Sequence, residues 1–286
     1  MNEASQPALA GKIAVVTGAS RGVGKGVALA LGDHGMTVYV TGRTLEPGKG
    51  AHPGSLRETA DEITKRGGRG VPVRCDHADD ADVAKLFSEV EEAHGRLDVL
   101  VNNVFAIPDG PLFGTPFWKQ PIGFWDTMHT VGLRSHYVAS VNAAPLLLAT
   151  PDSLVANVSS FGGRSYQVNV AYGVGKAGVD RLARDMAKDL RPHSVCSVSL
   201  YPGIVRTERV LAGELPFDTK VSESPELTGR AVAALAGDPD RMRHTGKVLI
   251  VAELAALYGF TDVDGGVPVS LARAGGKSGS ESGAST

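Results

Sequence analysis

Seven short apolar runs alternate with longer segments of helical periodicity, and that alternation constrains the fold more than any other feature of the chain. The runs are Ile13–Thr17, Thr37–Thr41, Val71–Cys75, Val99–Asn102, Leu154–Val158, Val195–Leu200 and Lys247–Val251. Several are near-continuous Val, Ile and Leu, the pattern of strands covered on both faces by helices. Between them the periodicity predicts helices over Gly22–His34, Ser55–Arg66, Ala81–His94, Phe124–Leu148, Val170–Leu190 and Glu226–Ala236. Strand followed by helix throughout requires crossover connections and one parallel sheet. No internal repeat or mid-chain linker interrupts the series. The expected architecture is a single doubly wound α/β domain over residues 9–270, with a seven-stranded parallel sheet and helices on both faces. Residues 271–286 are rich in Gly and Ser and are expected to be a disordered tail.

Charge and cysteine content narrow the function classes. The 29 basic and 31 acidic residues nearly cancel, so nothing points to a nucleic-acid or membrane surface. Cys75 and Cys196 are the only 2 cysteines and lie far apart inside apolar runs, which excludes a disulfide framework and a Cys-rich metal site. His129 and His136 share one predicted helix, but no third ligand accompanies them, so ordinary packing roles are expected and no metal. Met1–Ala10 has no apolar core of a signal peptide, and Tyr137–Ala149 is too short to span a bilayer. A cytoplasmic location is expected.

The first run, Ile13–Thr17, opens directly into Gly18-Ala19-Ser20-Arg21-Gly22-Val23-Gly24 and then a helical segment. Residues without Cβ between a strand and a helix let a pyrophosphate reach backbone N–H groups at the positive helix end. The spacing is G-x-x-x-G-x-G, distinct from the commoner dinucleotide fingerprint. An NTPase phosphate loop fails because Ala19 stands at its first Gly position and Gly26 at its Ser/Thr position. Gly18-Ala19-Ser20-Arg21-Gly22 also matches a hydrolase nucleophile elbow, but in the first strand no upstream loop could supply the second oxyanion donor. The second run ends Val40-Thr41-Gly42-Arg43, without the acid that an NAD ribose calls for. Arg43, helped by Arg21, could instead pair with a 2′-phosphate, which favours NADP(H) as cofactor over NAD(H).

Downstream come Ser159-Ser160 at a strand end and Tyr172-Gly173-Val174-Gly175-Lys176 on a predicted helix. Tyr172 and Lys176 are one turn apart and share a face. An adjacent ammonium favours the phenolate and would bring the Tyr172 phenol down toward the working range. The Ser160 hydroxyl can hold a carbonyl oxygen while Tyr172 delivers a proton; Ser160 is favoured and Ser159 is the alternative.

With these residues in place the sequence resembles the short-chain dehydrogenase/reductase family, and within it the dehydrogenase/reductase member-one group. The matching positions are Thr17-Gly18-x-x-x-Gly22-x-Gly24, Asp76, Asn102-Asn103, Ser160, Tyr172 with Lys176, and Pro202-Gly203-x-x-x-Thr207, over about Leu9 to Ser270. Phe117-Trp118, Val131-Gly132-Leu133-Arg134, Pro202-Gly-Ile-Val205 and Asp262-Val-Asp-Gly265 carry the closer likeness. The resemblance implies a Rossmann fold and hydride transfer between NADP(H) and a carbonyl or alcohol, with Ser160, Tyr172 and Lys176 catalytic. It implies cofactor contacts from Gly18, Ser20, Arg21, Gly22, Val23 and Gly24 in the turn and from Arg43. Asp76 would meet the adenine, Asn103 the adenosine ribose, and Lys176 the nicotinamide ribose. Pro202, Gly203, Ile204 and Thr207 would lie at the carboxamide. It further implies a homodimer or homotetramer through Phe124–Leu148 and Val170–Leu190. The alternative is a non-catalytic NADPH-binding sensor or scaffold of the same fold.

Three positions depart from the family pattern. Asn102-Asn103-Val104-Phe105 places a bulky ring where Gly is usual, and Val131-Gly132-Leu133 has Gly where a proton-relay Asn is usual. The Ser160-to-Tyr172 gap is one residue short of the common spacing. Six of the chain's aromatic residues lie between Phe105 and Trp125 in a Pro-punctuated segment that follows the fourth strand. Such a segment could wall a pocket for a bulky apolar or aromatic ketone or aldehyde, or could form a subunit contact or a lid. Arg206–Pro225 is a second candidate lid, with Gly213 and Pro216 as hinge points.

Overall fold

A computed structural model describes residues 9–50, 52–214 and 222–274. Of the expected disordered tail over residues 271–286, the first four residues instead form a short helix, Leu271–Ala274, and the rest lies outside the described residues, as do the segment before Leu9 and the hinge candidate Pro216.

The strands are β1 (Ile13–Thr17), β2 (Thr37–Gly42), β3 (Arg69–Arg74), β4 (Val99–Asn102), β5 (Leu154–Val158), β6 (Cys196–Tyr201), β7 (Ile204–Val205), β8 (Ser222–Glu223) and β9 (Val248–Ile250). The helices are α1 (Gly22–Asp33), α2 (Leu56–Lys65), α3 (Asp80–His94), α4 (Ile122–His129), α5 (Ser135–Leu148), α6 (Val170–Leu190), α7 (Glu208–Leu211), α8 (Pro225–Gly237), α9 (Val251–Tyr258) and α10 (Leu271–Ala274). Seven strands form one sheet in the order β3-β2-β1-β4-β5-β6-β9, each neighbouring pair parallel, and β7 pairs with β8 separately. This is the expected doubly wound Rossmann fold.

Burial explains the sequence pattern. All residues of β1, β4, β5 and β6 are buried, whereas the edge strand β3 is partly exposed and carries Pro72, tolerable where an N–H partner is dispensable. On one face Val16, Val38 and Val101 pack with Val27 and Leu31 of α1 and with Ala231 and Val232 of α8. On the other, Val15, Leu100 and Val155 meet Leu86 and Val90 of α3 and Ala139 and Ala143 of α5. Cys196 begins β6, Cys75 follows β3, and both are buried free thiols. Burial raises Cys75 to about 12 and Cys196 to about 11.

The long helix predicted over Phe124–Leu148 is divided. α4 begins two residues earlier, at Ile122, and a π-helical turn over Thr130–Arg134 separates it from α5. Such a turn admits one extra residue per turn and often marks a functional site. Gly132 is buried within it, and the Ser135 hydroxyl donates to the Val131 carbonyl at 2.6 Å. The sheet changes direction of winding between β1 and β4, so ligands are expected at the carboxyl ends of these strands. No helix among the described residues is long and apolar enough to cross a membrane.

Candidate active site

The glycine turn leaves β1 at this switch point. Gly18 and Gly22 have φ of +68° and +58°, in the left-handed region that side chains with Cβ resist. A Cβ on Gly24 would lie 2.3 Å from the Gly18 carbonyl oxygen, so α1 can approach the turn this closely only without a side chain there. Arg21, at the N-cap of α1, gives no side-chain cap, and the Gly22 N–H instead donates to Glu208 Oε2 at 2.9 Å. A carboxylate already rests where α1 presents its positive end. The cradle therefore fits an anionic group such as a dinucleotide pyrophosphate.

The expected cofactor residues surround this cradle with distinct local roles. Arg21 is tied to the β2–α2 loop by bonds to the carbonyls of Pro53 (3.0 Å) and Gly54 (3.1 Å). The exposed Arg43 is near enough to lower the Arg21 guanidinium by charge repulsion, although burial is the larger cause. Ser20 and Val23 belong to the same turn, and Val23 lines the central cavity. Asn103 pins the turn: its amide donates to the carbonyls of Thr17 (2.8 Å) and Gly18 (3.1 Å), and its backbone N–H donates to Thr17 Oγ1. Asp76 accepts from the Ala78 N–H at 3.0 Å, and Asp79 is the residue that caps α3.

A cavity of about 550 Å³ lies beside the turn, lined by Val23, Asn103, Phe105, Ser160, Tyr172 and Lys176 among others. Pro202, Gly203, Ile204 and Thr207 also line it. Ser160 Oγ is 2.8 Å from Tyr172 Oη at its wall. Ser159 instead turns inward and donates to the Lys176 carbonyl at 3.1 Å, so Ser160 is the serine that faces the tyrosine. Asn169 caps α6 and accepts the Tyr172 N–H at 2.9 Å, fixing the tyrosine in the first turn of its helix. Its amide also donates to the Leu112 carbonyl, anchoring the loop after β4. Sequence reasoning missed this residue, although an Asn three positions before Tyr172 is a readable capping signal.

Electrostatics here are set by burial. Desolvation pushes the Tyr172 phenol above its ordinary value, with the Ser160 hydrogen bond acting against it. The net lowering expected from Lys176 does not prevail, and the phenol is held in its protonated form. Desolvation lowers Lys176 to about 8, opposed by the Asp180 charge. Lys176 Nζ donates to the Val158 carbonyl at 3.3 Å. Asp180 is itself bound by Ser199 (2.6 Å) and Tyr201 (2.5 Å). A buried carboxyl, Glu223 on β8, accepts from the Gly203 N–H at 3.0 Å and is raised to about 7 by burial. Neither Glu208 nor Glu223 carries a motif signal, because each reaches its partner across a loop.

The aromatic segment divides among several roles. Phe105 and Phe113 line the cavity with Ile107 and Leu112; Phe124 is buried; Phe117 and Trp118 are exposed and meet edge to face. Trp125 packs on His129, whereas His136 is buried against the Val104 carbonyl, so the two histidines of the helix do different things. Leu271 of α10 also reaches the cavity, a contribution no motif foretold.

The chain is 46% identical over 271 residues to dehydrogenase/reductase SDR family member 1 of Mus musculus, covering 89% of this chain and 84% of that protein. The same protein of Homo sapiens is 44% identical over equal coverage. Among solved structures, a dehydrogenase of Xanthomonas campestris superposes with a TM-score of 0.79 at 25% identity, covering 92% of this chain and 94% of that one. A metagenomic short-chain oxidoreductase in complex with NADP matches with a TM-score of 0.70 at 31% identity, over 85% of this chain and 97% of that one. Residues 12–212 match the short chain dehydrogenase family, and the protein described here belongs to it.

Proposed function

We propose that this protein is an NADP(H)-dependent oxidoreductase that interconverts a carbonyl and an alcohol, acting on bulky apolar or aromatic ketones and aldehydes. The observation that carries the reading is the 2.8 Å contact between Ser160 and Tyr172 at the wall of a largely apolar cavity, with Lys176 one helical turn away. Gly18, Ser20, Arg21, Gly22, Val23 and Gly24 would hold the cofactor pyrophosphate, and Arg43 with Arg21 the 2′-phosphate. Asp76 and Asn103 would face the adenosine, and Pro202, Gly203, Ile204 and Thr207 the nicotinamide end. The bound nicotinamide supplies the hydride.

The chain's own residues align the substrate and manage the proton. Ser160 donates a hydrogen bond to the carbonyl oxygen, and Tyr172, protonated because it is buried, gives its proton to that oxygen in the reductive direction. Lys176 holds positive charge beside the phenolate left behind. Phe105, Ile107, Leu112 and Phe113 exclude water and favour an apolar substrate. The NADP complex of the metagenomic oxidoreductase supports the choice of cofactor, as does the Arg21–Arg43 pair. A cytoplasmic homodimer or homotetramer is part of the same reading; exposed Trp125, Tyr137, Val141 and Val174 on α4, α5 and α6 support the assembly.

The test is NADPH oxidation over a panel of aromatic, steroidal and aliphatic carbonyls, with Tyr172→Phe alongside. Turnover that Tyr172→Phe abolishes while still binding NADPH is expected. Tight NADPH binding without turnover of any carbonyl would instead favour a sensor.

A further inference from the structure

Two of the three departures from the family pattern, Phe105 and Gly132, meet in space. A Cβ on Gly132 would lie 2.5 Å from Phe105 Cδ2 and 2.8 Å from Cε2, so the ring occupies the volume that any side chain at position 132 would need. The same ring approaches Tyr172 edge to face, with centroids 5.8 Å apart and planes at 84°. Its face receives Lys176: Nζ lies 4.8 Å from the Phe105 centroid, nearer than to the Tyr172 centroid at 5.8 Å. The chain leading to the ring is fixed. The Asn103 and Val104 N–H groups both donate to Thr17 Oγ1, and the Val104 carbonyl is bonded to His136 Nε2 at 3.1 Å.

Lys176 is otherwise sparsely served. Among the described residues its ammonium has one hydrogen bond, to the Val158 carbonyl, and no ion pair; Asp180, bound by Ser199 and Tyr201, acts on it only as a more distant charge. A buried ammonium with one acceptor needs another source of stabilisation, and the negative face of an aromatic ring at under 6 Å provides it.

We propose that Phe105 is a positioning residue whose ring face holds the Lys176 ammonium beside Tyr172, and that position 132 is glycine to admit that ring. The proposal deepens the carbonyl–alcohol reading and rests on it for its kinetic arm only. Gly132 and Phe105 then form one unit: a side chain at 132 displaces the ring, and loss of the ring releases Lys176.

Phe105→Leu keeps apolar bulk and removes the ring quadrupole, whereas Phe105→Tyr keeps it. Lys176 is followed by NMR of ε-¹³C-lysine-labelled protein across pH 6–11, with Lys176→Arg assigning the signal. Phe105→Leu is expected to lower the Lys176 midpoint by about 0.5–1 unit and Phe105→Tyr to restore it. Gly132→Ala is expected to produce the same shift alone, and no further shift in a Phe105→Leu background. In turnover assays the inflection assigned to Lys176 should move with the NMR midpoint, with KM for NADPH changed less than kcat. A Lys176 midpoint unmoved by Phe105→Leu, or Gly132→Ala and Phe105→Leu shifts that simply add, overturns the proposal. If no carbonyl is reduced, the functional reading fails, and the NMR titration still decides whether the ring holds the lysine. Should Gly132→Ala fail to fold, Phe105→Leu against Phe105→Tyr decides alone.

Discussion

Gly162→Ala should disable the site although residue 162 has no side chain to take part in the chemistry. Gly162 is buried in the short turn Phe161–Gly163, and a Cβ there would lie 2.5 Å from Tyr172 Cε1, 2.9 Å from Cδ1 and 3.1 Å from Ser160 Oγ. The closest contact must open to the 3.4 Å of ordinary packing, so ring and turn must part by about 0.9 Å. The added methyl sits between the two side chains whose oxygens are 2.8 Å apart, so the strain falls directly on their hydrogen bond. A displacement of about 1 Å at a reacting group costs on the order of 10²-fold in rate, and overpacking costs about 1–3 kcal/mol in stability. The assay is kcat on a carbonyl that the wild type reduces, at saturating NADPH, with NADPH affinity measured by fluorescence quenching. The expected result is kcat lower by about 10²-fold with NADPH affinity within about twofold. Gly123→Ala in α4 serves as control, because nothing lies within 4 Å of its Cβ, and full activity is expected. A folded Gly162→Ala protein with kcat within about threefold of wild type would refute the reasoning: the Ser160–Tyr172 geometry would not limit the rate.

Other perturbations probe the cofactor site and the core. Arg43→Ala should weaken NADPH binding by about tenfold and leave NADH binding nearly unchanged, read by titration calorimetry; equal losses for both would remove Arg43 from the 2′-phosphate site. Glu208→Gln should tighten NADP⁺ binding by about three- to fivefold, since its carboxylate accepts the Gly22 N–H where the pyrophosphate would bind. Unchanged affinity would place the pyrophosphate elsewhere. Burial lowers His136 to about 3 and His77 to about 4, so both are neutral in the folded protein at neutral pH. The unfolded chain takes up their protons first as pH falls below about 6.5, so folding stability is complete above that pH and is lost on acidification. Each should cost about 2 kcal/mol by pH 5, and His136→Asn should flatten the fall of Tm between pH 7 and 5; an unaltered slope would show that His136 does not contribute.

Much of the fold is legible in the sequence for a simple reason: strands buried on both faces read as unbroken apolar runs. β1, β4 and β5 begin and end where those runs do, and α6 spans the residues its helical periodicity predicts. Where partial exposure blurs the pattern, boundaries move: β3 starts at Arg69, two residues before its apolar core, because it is an edge strand. Periodicity also could not show the π-helical turn at Thr130–Arg134, since one extra residue barely disturbs an apolar stripe. At the site, Ser160, Tyr172 and Lys176 are brought together as their spacing requires, whereas Glu208, Glu223 and Leu271 reach it through loops that carry no periodic signal. Asn103 shows the remaining gap: its position is legible, but its bonds to Thr17 and Gly18 appear only when β1 and β4 lie side by side.

The buried cysteines have a practical use. Cys75 and Cys196 are the chain's only thiols, and with both raised to about 11 or 12 they carry almost no thiolate at neutral pH. The native protein is thus a silent background for thiol labelling. A single cysteine introduced at exposed Leu211, on the helix that follows Thr207, would accept a fluorophore selectively. It would report whether that segment moves when a nicotinamide cofactor is added, with no native residue to be removed first.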